Sequence, residues 1–241
     1  MAESKQDHFE PLLAIETSQR EGSVALLTAD GACEEISFAC GGRQEDLLLP
    51  TIDRLLERCD LVPERIAATA VSVGPGGFTG LRIAVATVKG IAEVTGCRVV
   101  GVPSALVAAE AARDDLPDGR HVVVLSAVKG DTCWCTTLKP NGSGWTDVAP
   151  PGLVRVLPPE DGLLDRCSGA LVLHDEHVPD GFDEEISGLA AGSAHPVLSA
   201  RACASVGRAM LLGGQEADPL ELTPIYPREP EAVRLWASRN R

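Results

Sequence analysis

Aromatic side chains are scarce in this chain of 241 residues, with four Phe, three Trp and one Tyr. Packed bulk must therefore come from Leu, Val, Ile and Ala, and the chain is long enough to bury a sizeable core as one large domain or two lobes. Long apolar runs are missing too: no stretch reaches the length a bilayer-spanning helix needs. The first ten residues, MAESKQDHFE, are polar and acidic rather than a secretory leader. The sequence reads as cytoplasmic, with no membrane partner. Basic residues are outnumbered, 21 Lys and Arg against 35 Asp and Glu, for a formal net charge of −14. Broad binding to phosphate backbones rests on clustered cations, so any dealing with nucleic acid must pass through a partner.

Paired metal ligands and catalytic constellations are lacking as well. The five histidines, His8, His121, His174, His177 and His195, form no HxxxH or HExxH pair. His174 and His177 in HDEH lie on a turn, where at best they graze a metal. Eight cysteines are spread without a CxxC pair, and in a reducing compartment they read as buried free thiols. Cys133-x-Cys135 points two thiols to one side of a strand. There is no G-x-S-x-G elbow, and no Cys/His dyad can be singled out by spacing. Glu45-Asp46 and Glu184-Glu185 read as solvated charge, and no acid/base pair is indicated. The expected sets of catalytic, cofactor-binding and metal residues are empty, and the chain reads as a non-enzyme.

What the chain does have is concentrated between Ala70 and Thr95. An apolar strand containing Val71 and Val73 runs into Gly74-Pro75-Gly76-Gly77, and a helical pattern follows from Thr79, a candidate N-cap. A strand, glycine turn and helix start can present N–H groups to an anion. The spacing is nevertheless neither G-x-x-x-x-G-K-[ST] nor G-x-G-x-x-G, so a phosphate loop and a purely structural turn both remain open. Leu81, Ile83, Ala84, Val85, Ala86, Val88, Ile91, Ala92 and Val94 leave the helix no broad polar face. A helix apolar nearly all round is covered on more than one side, with Gly80, Ala84, Ala86 and Gly90 small enough to admit a second helix.

Along the chain, Pro11 to Leu27 reads as a hairpin turning at Gln19-Arg20-Glu21-Gly22, and Glu34 to Ala39 is a third strand after Asp30-Gly31. Gln44 to Cys59 carries Leu47, Leu48, Ile52, Leu55 and Leu56 at helical spacing, with Pro50 imposing a bend or a late start. Ala67 to Val73 and Arg98 to Val102 are further strands, and a helix runs from Pro103-Ser104 through Ala112. Asp114 to Arg120 is polar and broken, which places a lobe boundary there, dividing the chain into 1–113 and 114–241. Beyond it come a hairpin around Lys129-Gly130-Asp131, a weakly structured stretch from Asn141 to Asp165 with one strand at Val154 to Leu157, a short strand at Ala170 to His174, and a helix at Ser199 to Leu212. The tail from Glu216 reads as irregular loop. The second lobe reads as a shorter, eroded repeat of the first.

Several of these stretches together resemble the TsaB (YeaZ) family. They are IETS at Ile15 to Ser18, GSVALL from Gly22, LLPTIDRLL from Leu48, VGPGGFTGLRIAVATVKGIA from Val73 and TPIYPR from Thr223. The resemblance is densest over Leu12 to Ser104, thins through the second lobe and returns at the tail. It implies a two-lobed actin-like or Hsp70-like (ASKHA) α/β fold with ribonuclease-H-like lobes, the second reduced. It also implies a non-catalytic scaffold that activates a TsaD-type transferase in making tRNA threonylcarbamoyladenosine, alongside a TsaE-type ATPase. In this family the two helices of the first lobe contact TsaD or a second copy of the chain. That carries over here to Gln44, Leu47, Leu48, Thr51, Thr79, Arg82, Ile83, Ala86, Thr87 and Gly90 as interface residues, with Gly74, Pro75, Gly76 and Gly77 as structural turn. The transferase needs a paired-histidine metal site, which this chain lacks.

Two departures bear on chemistry. ATP-using relatives of this fold carry an aspartate and glycines in the first hairpin, whereas Glu16 and Gln19-Arg20 stand here, and bulky turn residues block close approach to phosphate. Where family members read D-A-R-x-G-E-V-Y, this chain reads Ser126 to Cys133 without the acid or the arginine. The alternative reading is an ATP-dependent small-molecule kinase or ATPase of the same fold. Arg82, the one charge near the start of its helix, is expected either to reach an anion or a partner's acid, or to lie along its own lobe.

Overall fold

The computed structural model describes residues 10–39, 47–116, 120–142, 144–179, 181–227 and 236. It contains two five-stranded mixed sheets. The first is ordered β3-β2-β1-β4-β5, from β1 (Leu12–Glu16), β2 (Glu21–Leu27), β3 (Cys33–Ala39), β4 (Ala68–Gly74) and β5 (Arg98–Pro103). β1, β2 and β3 form an antiparallel meander, while β4 runs parallel to β1 and β5 parallel to β4. Helices α1 (Leu48–Arg58) and α2 (Phe78–Thr95) fill the two crossovers, and α3 (Ser104–Ala111) follows β5.

The second sheet repeats this plan. Its order β10-β9-β6-β7-β8 uses β6 (Val122–Lys129), β7 (Thr132–Asn141), β8 (Gly144–Arg155), β9 (Leu171–His174) and β10 (Gly192–Ala194), with a meander and two parallel neighbours in the same places. Its helices are α4 (Leu163–Cys167), α5 (Phe182–Ile186) and α6 (Ala200–Leu212). The actin-like, ribonuclease-H-like duplication is therefore present in full in the strands. What has shrunk is the helical layer: α4 and α5 have five residues each where α1 has 11 and α2 has 18.

Strand alternation explains how the first sheet is covered. Leu13, Ile15, Val24, Leu26, Val71, Val73 and Val99 face α1 and α2, whereas Leu12, Ala14, Ala25, Ala68, Ala70, Val100 and Val102 face α3 and α6. The second set is rich in Ala, which lets α6 lie close. A Cβ at Gly207 of α6 would come within 2.5 Å of the Ala70 Cβ. Ser199 caps α6, its hydroxyl accepting from the Ala202 N–H at 3.2 Å. The α3 and α6 face is continuous with Val122, Val124, Leu138, Leu171 and Leu173 of the second sheet, so one core bridges both halves. Glu110 of α3 pins the joint, accepting from Trp145 Nε1 of β8 at 2.9 Å and from the Ser205 hydroxyl of α6 at 2.7 Å.

Three local expectations need correction. Asn141 to Asp165 is not weakly structured: β8 spans twelve of its residues, an edge strand whose Pro150, Pro151 and Gly152 hide the alternation from sequence reading. Thr79 does not cap α2. Gly77 takes that position and the helix begins at Phe78. Pro50 falls in the first turn of α1, which begins at Leu48, so its missing N–H costs no hydrogen bond. The tail, read as loop, is a structural strap. Its Ala217 N–H donates to Val99 O at 2.8 Å, its Ile225 N–H donates to Val73 O at 2.7 Å, and Leu222 is buried in the core beneath α2. Seven cysteines among the described residues are free thiols, five of them buried.

Candidate interaction surface and cleft

The inner side of α2, with Leu81, Ala84, Val85, Val88 and Ala92, packs on the first sheet. The strap takes one flank. Arg82 Nε donates to the Tyr226 hydroxyl at 2.9 Å, the guanidinium lies 3.7 Å from the Phe78 ring centre, and Lys89 Nζ donates to Leu220 O at 3.1 Å. Arg82 is thus held by its own chain, lying exposed along its own lobe, the last of the placements expected for it.

Thr79, Arg82, Ala86 and Gly90 remain as an exposed stripe, continued by Val94, which is 81% exposed. A side chain at Gly90 would meet open space. Ile83 and Thr87 flank the stripe half-buried. On α1 the expected surface divides. Leu47 and Leu49 are exposed, while Leu48 and Thr51 are buried, the Thr51 hydroxyl donating to Leu47 O at 2.7 Å. Gln44 lies outside the described residues.

The glycine turn is spent on the protein itself. A Cβ on Gly76 would lie 2.5 Å from Ser18 O, one on Gly80 2.5 Å from Thr17 O, and the Gly77 N–H donates to Ser18 O at 2.7 Å. The turn after β4 therefore nests against the turn after β1, and Ser104 Oγ fastens it from below by donating to Pro75 O at 2.6 Å. Of the two uses left open for this turn, close backbone packing accounts for Gly76, Gly77 and Gly80.

Beside that nest a cleft of about 380 Å³ opens between the halves, with Ser18, Arg20, Phe78 and Ile83 on one side and Asp175 and His177 on the other. Arg20 spans it in an exposed ion pair with Glu176 at 3.1 Å. Asp175 is held by the Ala127 and His177 N–H groups at 2.6 and 2.8 Å. Beneath the floor Glu16 is fully buried. Its Oε1 accepts from the Ser18 N–H at 2.6 Å, its Oε2 has no partner among the described residues, and burial pushes its carboxyl up from the ordinary carboxylate range. Asp183 and His195 were not singled out by sequence. The structure brings them to His174, while His177 stands apart from that group in the cleft.

Residues 43–156 match the family profile described as TsaD, tRNA N6-adenosine threonylcarbamoyltransferase. Among curated proteins, a TsaB from Bacillus subtilis is 33% identical over 34% of this chain and 35% of its own length. The TsaB of Escherichia coli is 27% identical over 56% of this chain and 58% of its own length. A Buchnera aphidicola TsaB is 25% identical over 63% of this chain and 72% of its own length. Over these stretches the chain is similar to proteins of the TsaB (YeaZ) family. Its matched part spans less than two thirds of the Bacillus and Escherichia proteins. Two Pseudomonas aeruginosa structures share the fold. One, described as similar to peptidase YeaZ, superposes with a TM-score of 0.78 at 21% identity, covering 90% of this chain and 99% of its own. The other, described as YeaZ, gives 0.74 at 21% identity, covering 89% and 98%. Among the described residues no helix is long and apolar enough to cross a membrane.

Proposed function

We propose that this chain is a non-catalytic partner subunit in the formation of tRNA threonylcarbamoyladenosine. It docks a TsaD-type transferase on the outer stripe of α2 and the exposed end of α1, with a TsaE-type ATPase acting in the same assembly. In this reading residues 1–113 are the docking lobe and 114–241 the lobe that braces it. The named relatives support the pathway: their names place those proteins in threonylcarbamoyladenosine biosynthesis. The observation that carries the docking surface is the exposed small-residue stripe Thr79, Ala86 and Gly90, which the described part of the strap leaves uncovered. Small residues let a second helix approach to close contact, and an interface of ordinary size asks about 800 Å² of each side. The same stripe can serve a second copy of this chain when the transferase is absent.

The rival reading, a kinase or ATPase, needs the glycine turn to receive phosphate. Ser18 and Thr17 fill the space in front of Gly76 and Gly80, which favours the scaffold. The experiment is to mix purified chain with a TsaD-type transferase, size the product, and measure tRNA modification with and without the chain. A heterodimer and dependence of modification on the chain are expected. Gly90→Arg, which points into open space, should leave the fold intact and lower affinity by at least tenfold. Full modification in the absence of the chain would end the proposal.

A further inference from the structure

Outside the cleft and the α2 stripe, one cluster of side chains has no role in docking. We propose that His174, Asp183 and His195 form a site for a single divalent transition-metal ion of the zinc class. The ion would lock the far edge of the second sheet, where α5 has shrunk to five residues.

The placement follows from register. β9 and β10 run parallel with Leu173 opposite Ala194, so the residues that follow them, His174 and His195, emerge side by side. Asp183, in the first turn of α5, closes the third corner. Each of the three offers one donor atom, all within 4.8 Å of one another. Two imidazoles and a carboxylate are the donor set that such ions favour, with a fourth position left for water or substrate.

Hydrogen bonding sets the ring nitrogens for this task. His195 Nδ1 lies 3.0 Å from His174 O. A carbonyl can only accept, so Nδ1 carries the hydrogen and Nε2 of the neutral ring keeps a bare lone pair. Metal-binding histidines are typically oriented by such a backbone bond on the other ring nitrogen. His174, buried between strand and helix, points Nε2 at Asp183 Oδ1 and at Ser193 Oγ, both at 3.0 Å. The Ser193 hydroxyl sends its one hydrogen to Asp183 Oδ1 at 2.6 Å. Nothing but a proton or a cation can then lie between the His174 nitrogen and the carboxylate. A Ser-His-Asp triad is excluded, because serine and aspartate meet the same ring nitrogen rather than opposite ones. A shallow hollow lined by Asp183, Gly188, Ser193 and His195 gives access from solvent.

The test uses full-length chain stripped of metal and titrated calorimetrically with zinc chloride. One equivalent is expected to bind and to raise the melting temperature. His195→Ala and Asp183→Asn, both at exposed positions, should each weaken that step at least tenfold with unchanged circular dichroism. Cobalt(II) substitution should give d–d absorption without the thiolate-to-metal charge-transfer band that the cysteines would produce. Absence of a one-equivalent step in the unaltered chain, a step indifferent to both variants, or a thiolate band would each overturn the assignment; the first would leave His174 and Asp183 sharing an ordinary proton.

Discussion

Glu16 ends β1 with no exposure to water and one carboxylate oxygen without a partner among the described residues. Burial raises its folded-state pKa above the ordinary 4.5, so the folded chain holds this proton more tightly than the unfolded one. Its contribution to stability is complete below pH 4.5 and is lost as pH rises through the folded value. Glu16→Gln keeps an acceptor for the Ser18 N–H and cannot ionise. Urea midpoints at pH 5 and pH 8 should show the variant gaining on the parent as pH rises, with the two converging in acid. The same scale accounts for the glycines. Gly80→Ala would drive a methyl to 2.5 Å from the backbone oxygen of Thr17, with an expected cost of about 1–3 kcal/mol by chemical denaturation. The sequence showed that a tight turn stood here, because glycine and proline mark turns by their own backbone limits. It could not show that the turn's neighbour was Thr17-Ser18, some sixty residues earlier.

Elements were legible in proportion to how strictly their side chains alternate. β1 to β5 and α1 to α3 announce themselves because each buries one face or both against a layer, and the spacing of apolar residues records which. β8 escapes because its prolines and exposed flank carry no such record, and α4 and α5 because five residues are too few for a helical period. The strap escapes for another reason: it binds by two backbone hydrogen bonds and isolated anchors rather than by a repeating pattern. Leu222 is its deepest anchor, seated where Gly101 of β5 has no side chain, since a Cβ there would lie 2.7 Å from Leu222 Cδ1. Leu222→Ala should destabilise by about 2–4 kcal/mol. It should also speed amide exchange in residues 216–227 and along the Arg82 and Lys89 flank of α2, read by mass spectrometry. Unaltered exchange there would mean that the strap lies on α2 without supporting it.

At the scale of the whole molecule the two sheets are joined by apolar packing rather than by charge. Arg20 and Glu176 face each other across the cleft, but both are exposed, and such a pair contributes at most about 1 kcal/mol. The core that runs from Ala14 through α3 and α6 to Val124 and Leu173 is the real joint. Unfolding should accordingly be a single transition. Tryptophan fluorescence, dominated by Trp134 and Trp145 of the second sheet, should coincide in midpoint with far-UV dichroism, dominated by the helices of the first. Separate midpoints would show that the halves part before they melt. The two-lobed plan was visible in sequence through its resemblance. This shared joint was not, because α6 belongs to the second repeat by order and covers the first sheet by position.

That crossing of order and position has a consequence for how the polypeptide is made. Strands β1 to β5 leave the ribosome long before residues 200–225, yet those late residues clothe one face of their sheet and clamp the helix on the other. The nascent first half must therefore wait, half-dressed and sticky, until those later residues have been made. Slow translation of the stretch in between lengthens that vulnerable interval.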